Sequence, residues 1–171
     1  MLLLLASSRA SGQSLVVHGS AGPTIVDAGH SLTAGLGITP HPLLTVLFSV
    51  DRTQVDSQIT RDAFGRVSSA FRGGTLTLAT AELRATLFRR ERASPYVVGG
   101  LGGGVSQPNV NAVFTTPVTN YAQVFFFGGG LQVPLPARLS VFGDVRMVLG
   151  AEGREGMVAV APVRAGLAWR F

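Results

Sequence analysis

The chain has 171 residues, enough for one domain. Apolar residues make up 46% and charged residues only 13%, about half the charge share of an ordinary soluble domain, so a wholly water-facing exterior is excluded. The formal charge is +5, every basic residue is arginine, and cysteine is absent, which excludes disulfides, thiolate metal sites and a thiol nucleophile.

No run approaches the ~18 apolar residues of a helical membrane span. Met1 to Ala6 is apolar but short and reads as the remnant of a secretory signal, residues 1–12, with Ala10-Ser11-Gly12 as its small-residue cleavage site. Residues 13–171 then form one domain.

Eight period-2 apolar runs follow, separated by turn residues. Ser14 to Ala21 sets Leu15 and Val17 against His18 and Ser20. Ser31 to Thr39 sets Leu32, Ala34, Leu36 and Ile38 against Ser31, Thr33, Gly35, Gly37 and Thr39. Leu43 to Asp51 sorts Leu44, Val46, Phe48 and Val50 from Thr45, Leu47, Ser49 and Asp51. Thr75 to Phe88 places Thr80, Glu82, Arg84 and Thr86 away from Leu83 and Leu87. Tyr96 to Val105 is so rich in glycine that its faces stay unassigned. Tyr121 to Val133 carries Phe125-Phe126-Phe127 and three glycines. Leu139 to Leu149 separates Val141, Val145 and Met147 from Ser140, Asp144 and Arg146. Val158 to Phe171 puts Val163, Ala165, Leu167, Trp169 and Phe171 opposite Arg164, Gly166, Ala168 and Arg170.

The connections alternate. Pro40 to Pro42, Arg89 to Pro95 and Pro134 to Arg138 are turn-like, whereas Gly22 to His30, Arg52 to Gly74, Gln107 to Asn120 and Gly150 to Gly156 take the other positions, two of them long. Short periplasmic turns alternating with longer external loops mark an outer-membrane barrel. The predicted fold is therefore all-β: a closed antiparallel transmembrane β-barrel of about eight strands in an up-and-down meander. A soluble barrel also alternates, but with its apolar side inward. Here the polar face is mainly small, fitting a narrow interior. The opposite face carries leucine, valine, phenylalanine and tryptophan with almost no charge, which suits lipid. Pro162 fits a closed ladder poorly, and a spanning segment of Val163 to Phe171 places it just above the bilayer. Phe88, Tyr96, Trp169 and Phe171 are expected at periplasmic strand ends, as an interfacial girdle; Phe88 also has the inward parity, where it could cap the lumen.

The segment Ser94-Pro95-Tyr96-Val97-Val98-Gly99-Gly100-Leu101-Gly102-Gly103-Gly104 and the terminal Arg164-Ala165-Gly166-Leu167-Ala168-Trp169-Arg170-Phe171 resemble the small outer-membrane β-barrel proteins of the OmpA/OmpX/OmpW-like group. The resemblance covers roughly Gln13 to Phe171. It implies an integral protein of a Gram-negative cell outer membrane, in contact with outer-membrane lipid and lipopolysaccharide and expected to be monomeric. It also implies that Leu167, Trp169 and Phe171 are the assembly signal read by the barrel assembly machinery, with periplasmic chaperones as further partners.

Other motifs are weak. His18-Gly19-Ser20 resembles the histidine–serine pair of outer-membrane lipid A deacylases, but it lies in the first strand with inward parity and no acidic residue there to orient the histidine. Gly99 to Gly104 lacks the following helix of a phosphate loop. His30 and His41 have no partner at metal-ligand spacing, so no metal and no cofactor are expected. The cluster Arg89-Arg90-Glu91-Arg92 lacks interleaved aromatics, so no nucleic-acid partner is expected.

Glu82, Arg84, Asp144, Arg146 and Arg164 share the inward parity. They are expected to form a lumen charge cluster that plugs the barrel, with Asp144 opposite Arg164 and Glu82 reaching toward Arg164 across it. The expected role is structural or surface recognition, not enzymatic, with specificity in the two long loops. A small passive channel or carrier for apolar molecules is the alternative, and a lipid A-modifying enzyme the third reading.

Overall fold

The computed structural model describes residues 14–25, 29–71, 73–88, 92–110, 115–116, 119–152 and 156–171. The signal remnant 1–12 and Arg89-Arg90-Glu91 lie outside these residues. The strands are β1 (Ser14–Pro23), β2 (Gly29–His41), β3 (Leu44–Val55), β4 (Gln58–Arg61), β5 (Val67–Phe71), β6 (Gly74–Thr86), β7 (Ser94–Pro108), β8 (Asn120–Pro134), β9 (Leu139–Glu152), β10 (Gly156–Val160) and β11 (Val163–Arg170). All eight expected runs form strands, most of them extended at the loop end.

Every neighbouring pair is antiparallel and follows chain order: β1–β2, β2–β3, β3–β6, β6–β7, β7–β8 and β8–β9. The last strand is interrupted. β10 and β11 both pair with β9 in one unbroken register, Val160 opposite Val148 and Val163 opposite Val145. β11 then pairs with β1, with Trp169 opposite Val17, and the sheet closes into an eight-stranded barrel. The break falls at Pro162, which has no N–H to donate. Its carbonyl still accepts the Arg146 N–H at 3.1 Å, and the Ala161 carbonyl accepts that of Ile25 at 2.8 Å.

The connections alternate as the sequence predicts. At one end are the turns between β2 and β3, β6 and β7, and β8 and β9. At the other are the connections between β1 and β2, β3 and β6, β7 and β8, and β9 and β10. Within 56–73, expected to be a plain loop, β4 and β5 form a separate hairpin. Arg52, expected at the start of this loop, lies within β3.

Leu36, Phe48, Leu101, Phe125, Phe127 and Leu167 all face outward and are exposed. In water such a belt would be one adhesive patch; in lipid it needs no cover, because closure satisfies the backbone. The interior corrects the expectation of a mostly small, polar face. Toward the loop end, Leu76, Leu78, Val124, Phe126, Val148 and Val160 point inward and are buried together. The glycine-rich β7 also resolves: Tyr96 and Val98 point inward, Val97 and Leu101 outward.

Candidate functional site

Midway along the barrel, inward parity and strand register converge on one polar network. Arg164 of β11 stands directly opposite Asp144 of β9 and grips it with two bonds, Nε to Oδ1 at 3.0 Å and Nη2 to Oδ2 at 3.3 Å. Arg146 shares the same carboxylate, its Nη2 donating to Oδ2 at 3.2 Å, and reaches across two strands to Glu82 of β6 through Nη1 to Oε2 and Nη2 to Oε1. Arg84 donates to Glu82 Oε1 at 3.3 Å. Paired guanidinium–carboxylate bonds of this kind combine charge with fixed geometry. The five expected residues therefore do meet, each at most 5% exposed.

One expected contact is absent. Glu82 does not touch Arg164; it bonds to Arg146 and Arg84, and Asp144 links those groups to Arg164. Four further members, Asp51, Thr33, Thr80 and Tyr96, were not singled out from sequence. Asp51 of β3 accepts from Arg164 Nη1 at 3.1 Å, from Thr33 at 2.5 Å and from Thr80 at 2.7 Å. Tyr96 is the other correction. Expected in the girdle, it is 2% exposed inside the lumen and donates its hydroxyl to Asp144 Oδ2 at 2.9 Å. Arg84 lies over the Tyr96 and Phe142 rings at 4.5 and 4.8 Å, and Arg146 over Phe126 at 5.2 Å, so aromatic faces add to the carboxylate pairing of these two guanidinium groups.

Glycines make these reaches possible. Tyr96, Gly130 and Asp144 are consecutive cross-strand partners on β7, β8 and β9. A Cβ at Gly130 would lie 2.8 Å from Tyr96 Oη and 2.7 Å from Asp144 Cβ, so only glycine lets the tyrosine cross its strand. Gly35 does the same between His18 and Ser49, where an added Cβ would lie 2.6 Å from His18 Nε2. Gly130→Val is expected to cost about 1–3 kcal/mol through overpacking. At outward-facing Gly99 the nearest atom to an added Cβ is 3.6 Å away, so Gly99→Ala should be nearly silent. Urea unfolding in micelles would show it, and equal losses at both positions would contradict this role for the lumen glycines.

His18 does not bond to Ser20. Its Nε2 lies 3.0 Å from Ser49 Oγ, and both His18 and Ser20 are buried in the lumen. Among the described residues no cluster of three or more His, Asp or Glu could hold a metal ion. Trp169 and Phe171 do lie on the outer face at the turn end, stacked with centroids 5.0 Å apart, and Leu167 is on the same face. Phe88 lies just beyond β6 and is exposed.

A cavity of about 20 Å³ lies among Asp51, Thr80, Phe126, Arg146, Pro162 and Arg164, room for about one water. An antiparallel strand meander closed by its first and last members has counterparts among solved structures. The N-terminal barrel domain of Pseudomonas aeruginosa OprF superimposes with a TM-score of 0.63 at 14% identity, covering 94% of this chain and 99% of that one. This is the fold of the small eight-stranded outer-membrane barrels. Neisserial surface protein A gives 0.65 at 12% identity, covering 94% and 96%. Ail of Yersinia pestis, solved with the heparin analogue sucrose octasulfate, gives 0.56 at 14% identity, covering 94% and 99%. At these identities the likeness concerns the fold. No family model matches the chain, and no curated protein matches it in sequence.

Proposed function

We propose that the protein is a non-conducting integral barrel of the cell outer membrane that serves as a structural or surface-recognition scaffold, not as an enzyme. One observation carries the reading: the interior is filled twice over, by the charged network at mid-height and by the apolar layer of Leu76, Leu78, Phe126 and Val148 above it. Ions would have to cross both. A carrier of apolar molecules is disfavoured too, since the apolar inward residues are spent on one another. The outward apolar belt is matched to outer-membrane lipid and lipopolysaccharide, and the turn end would face the periplasm.

Recognition would reside at the loop end, because loops on a rigid scaffold commonly carry it. The β4–β5 hairpin is built for presentation. Asp62 Oδ1 accepts the N–H groups of Phe64 and Arg66, and Arg61 Nη1 donates to the Gly65 carbonyl at 2.9 Å. This turn holds Phe64, 88% exposed, between two arginines at the tip. An anionic surface ligand fits such a tip, and the anionic analogue bound by Ail belongs to the same chemical class. Reconstituted into planar bilayers, the protein is expected to show no stepwise conductance, and cell fractionation is expected to place it in the outer membrane. A steady ohmic conductance would favour the channel reading instead, and folded protein found mostly in a soluble fraction would end both.

A further inference from the structure

The +5 charge is distributed unevenly. In the lumen Arg84, Arg146 and Arg164 balance Asp51, Glu82 and Asp144. Among the described residues the loop end is balanced as well, Arg52, Arg61 and Arg66 against Asp56, Asp62 and Glu152. Among the described residues, Arg92, Arg138 and Arg170 lie at the turn end, and no aspartate or glutamate accompanies them there.

At that same end the lumen opens into a cup of about 260 Å³. Arg138 and Arg170 line it together with the Thr86, Ser94 and Ser140 hydroxyls and the Gln132 amide, and none of the described lining residues is acidic. Gln132 donates to Ser140 at 2.7 Å and Ser140 to the Ala168 carbonyl at 3.2 Å, so one wall is fixed by its own bonds. The turn that delivers Arg138 is unusual. Ala137 and Arg138 adopt φ of 60° and 62°, where glycine or asparagine is the ordinary occupant. The Arg138 carbonyl accepts the Arg170 N–H at 3.1 Å, which ties the two arginine-bearing segments together. Strained backbone is commonly kept where a side chain must be placed.

We propose that this cup binds a phosphate group, carried either by a phospholipid headgroup at the rim or by a small soluble phosphate. One guanidinium from the turn between β8 and β9 and one from β11, with the Thr86 and Ser94 hydroxyls beside them, match a tetrahedral anion that accepts from several sides. The plug above is neutral by its own pairing and supplies no free carboxylate to compete. The site does not depend on whether the barrel conducts or on what the loops recognise.

The test uses the full chain in nonionic micelles and in phosphatidylcholine nanodiscs, titrated with inorganic phosphate and followed by ³¹P NMR. Saturable binding that weakens with salt is expected. The double variant Arg138→Gln, Arg170→Gln should weaken it by about tenfold or more, through loss of charge-assisted bonds. Arg52→Gln, at an exposed position of β3 toward the loop end, should leave it unchanged. Gel migration of unboiled protein checks that each variant is folded; if the double variant is not, Arg138→Gln alone, at an exposed turn position, carries the comparison. Replacing phosphatidylcholine by phosphatidylglycerol separates the sources. A lowered apparent affinity for free phosphate identifies the lipid headgroup as occupant, and an unchanged one identifies a small soluble phosphate. Absence of saturable binding by the wild type, or binding undiminished in the folded arginine variants, overturns the proposal.

Discussion

Arg146→Met is expected to destabilise the folded barrel by about 3–5 kcal/mol, because two buried carboxylates lose a shared cation at once, Glu82 keeping only Arg84 and Asp144 keeping Arg164 and Tyr96. Arg146 is the hinge of the network: it bonds Asp144 on its own strand and Glu82 on β6, and both carboxylate side chains are fully buried. A hydrated lumen would give a different result, since screened pairs contribute only ~0–1 kcal/mol each. Two double-mutant cycles separate the cases. Arg146→Met with Glu82→Gln, and Arg164→Met with Asp144→Asn, should each show coupling well above that range by urea titration in micelles. Glu82→Gln with Arg164→Met should couple more weakly, because these two groups meet only through Arg146 and Asp144. Coupling indistinguishable from zero in the first two cycles would remove the plug, and a conducting lumen would become the better account of the barrel.

Much of this architecture was legible in the residues because side-chain parity and strand order are local properties. Alternation placed Glu82, Arg84, Asp144, Arg146 and Arg164 on one face, and the hairpin from β9 to the last strand sufficed to set Asp144 opposite Arg164. Reach across the lumen was not legible. Whether Glu82 meets Arg164 or Arg146 depends on barrel stagger, which no single strand encodes. Asp51 carried the right parity, but nothing in β3 indicates that its partner comes from the far end of the chain. Tyr96 was misplaced because a tyrosine near a strand end fits either an interfacial belt or a lumen. The deciding signal was Gly130, its partner on the neighbouring strand, and it became readable only once the register of β7 against β8 was known. The apolar layer was overlooked for a similar reason. Leu76 and Leu78 share parity with Glu82, so a face that is polar at mid-height becomes apolar one turn of pleat higher.

Deletion of Phe171 is expected to abolish most of the folded yield in the outer membrane, whereas Ala168→Ser should leave it near the wild-type level. The two residues lie close together but face opposite ways. Ala168 is buried inside, opposite His18 and Ser140. Phe171 is exposed on the outer face and stacks on Trp169 with an interplanar angle of 25°, a contact worth roughly 0.5–1.5 kcal/mol beyond its area. Its N–H also donates to the Leu15 carbonyl at 2.9 Å, one rung of the seam between the first and last strands that closes the barrel. Loss of one stack and one rung weakens the seam only modestly, so a purely thermodynamic role predicts a small deficit. A large one requires that the terminal aromatic be read during assembly, as the likeness of Leu167, Trp169 and Phe171 to the terminal strand of outer-membrane barrels implies. Refolding in detergent separates the two contributions. A deletion variant that refolds there, shifts on unboiled gels and yet fails to accumulate in the outer membrane assigns the loss to recognition. Equal outer-membrane yields for the deletion and for Ala168→Ser would show that the last residue carries no assembly signal.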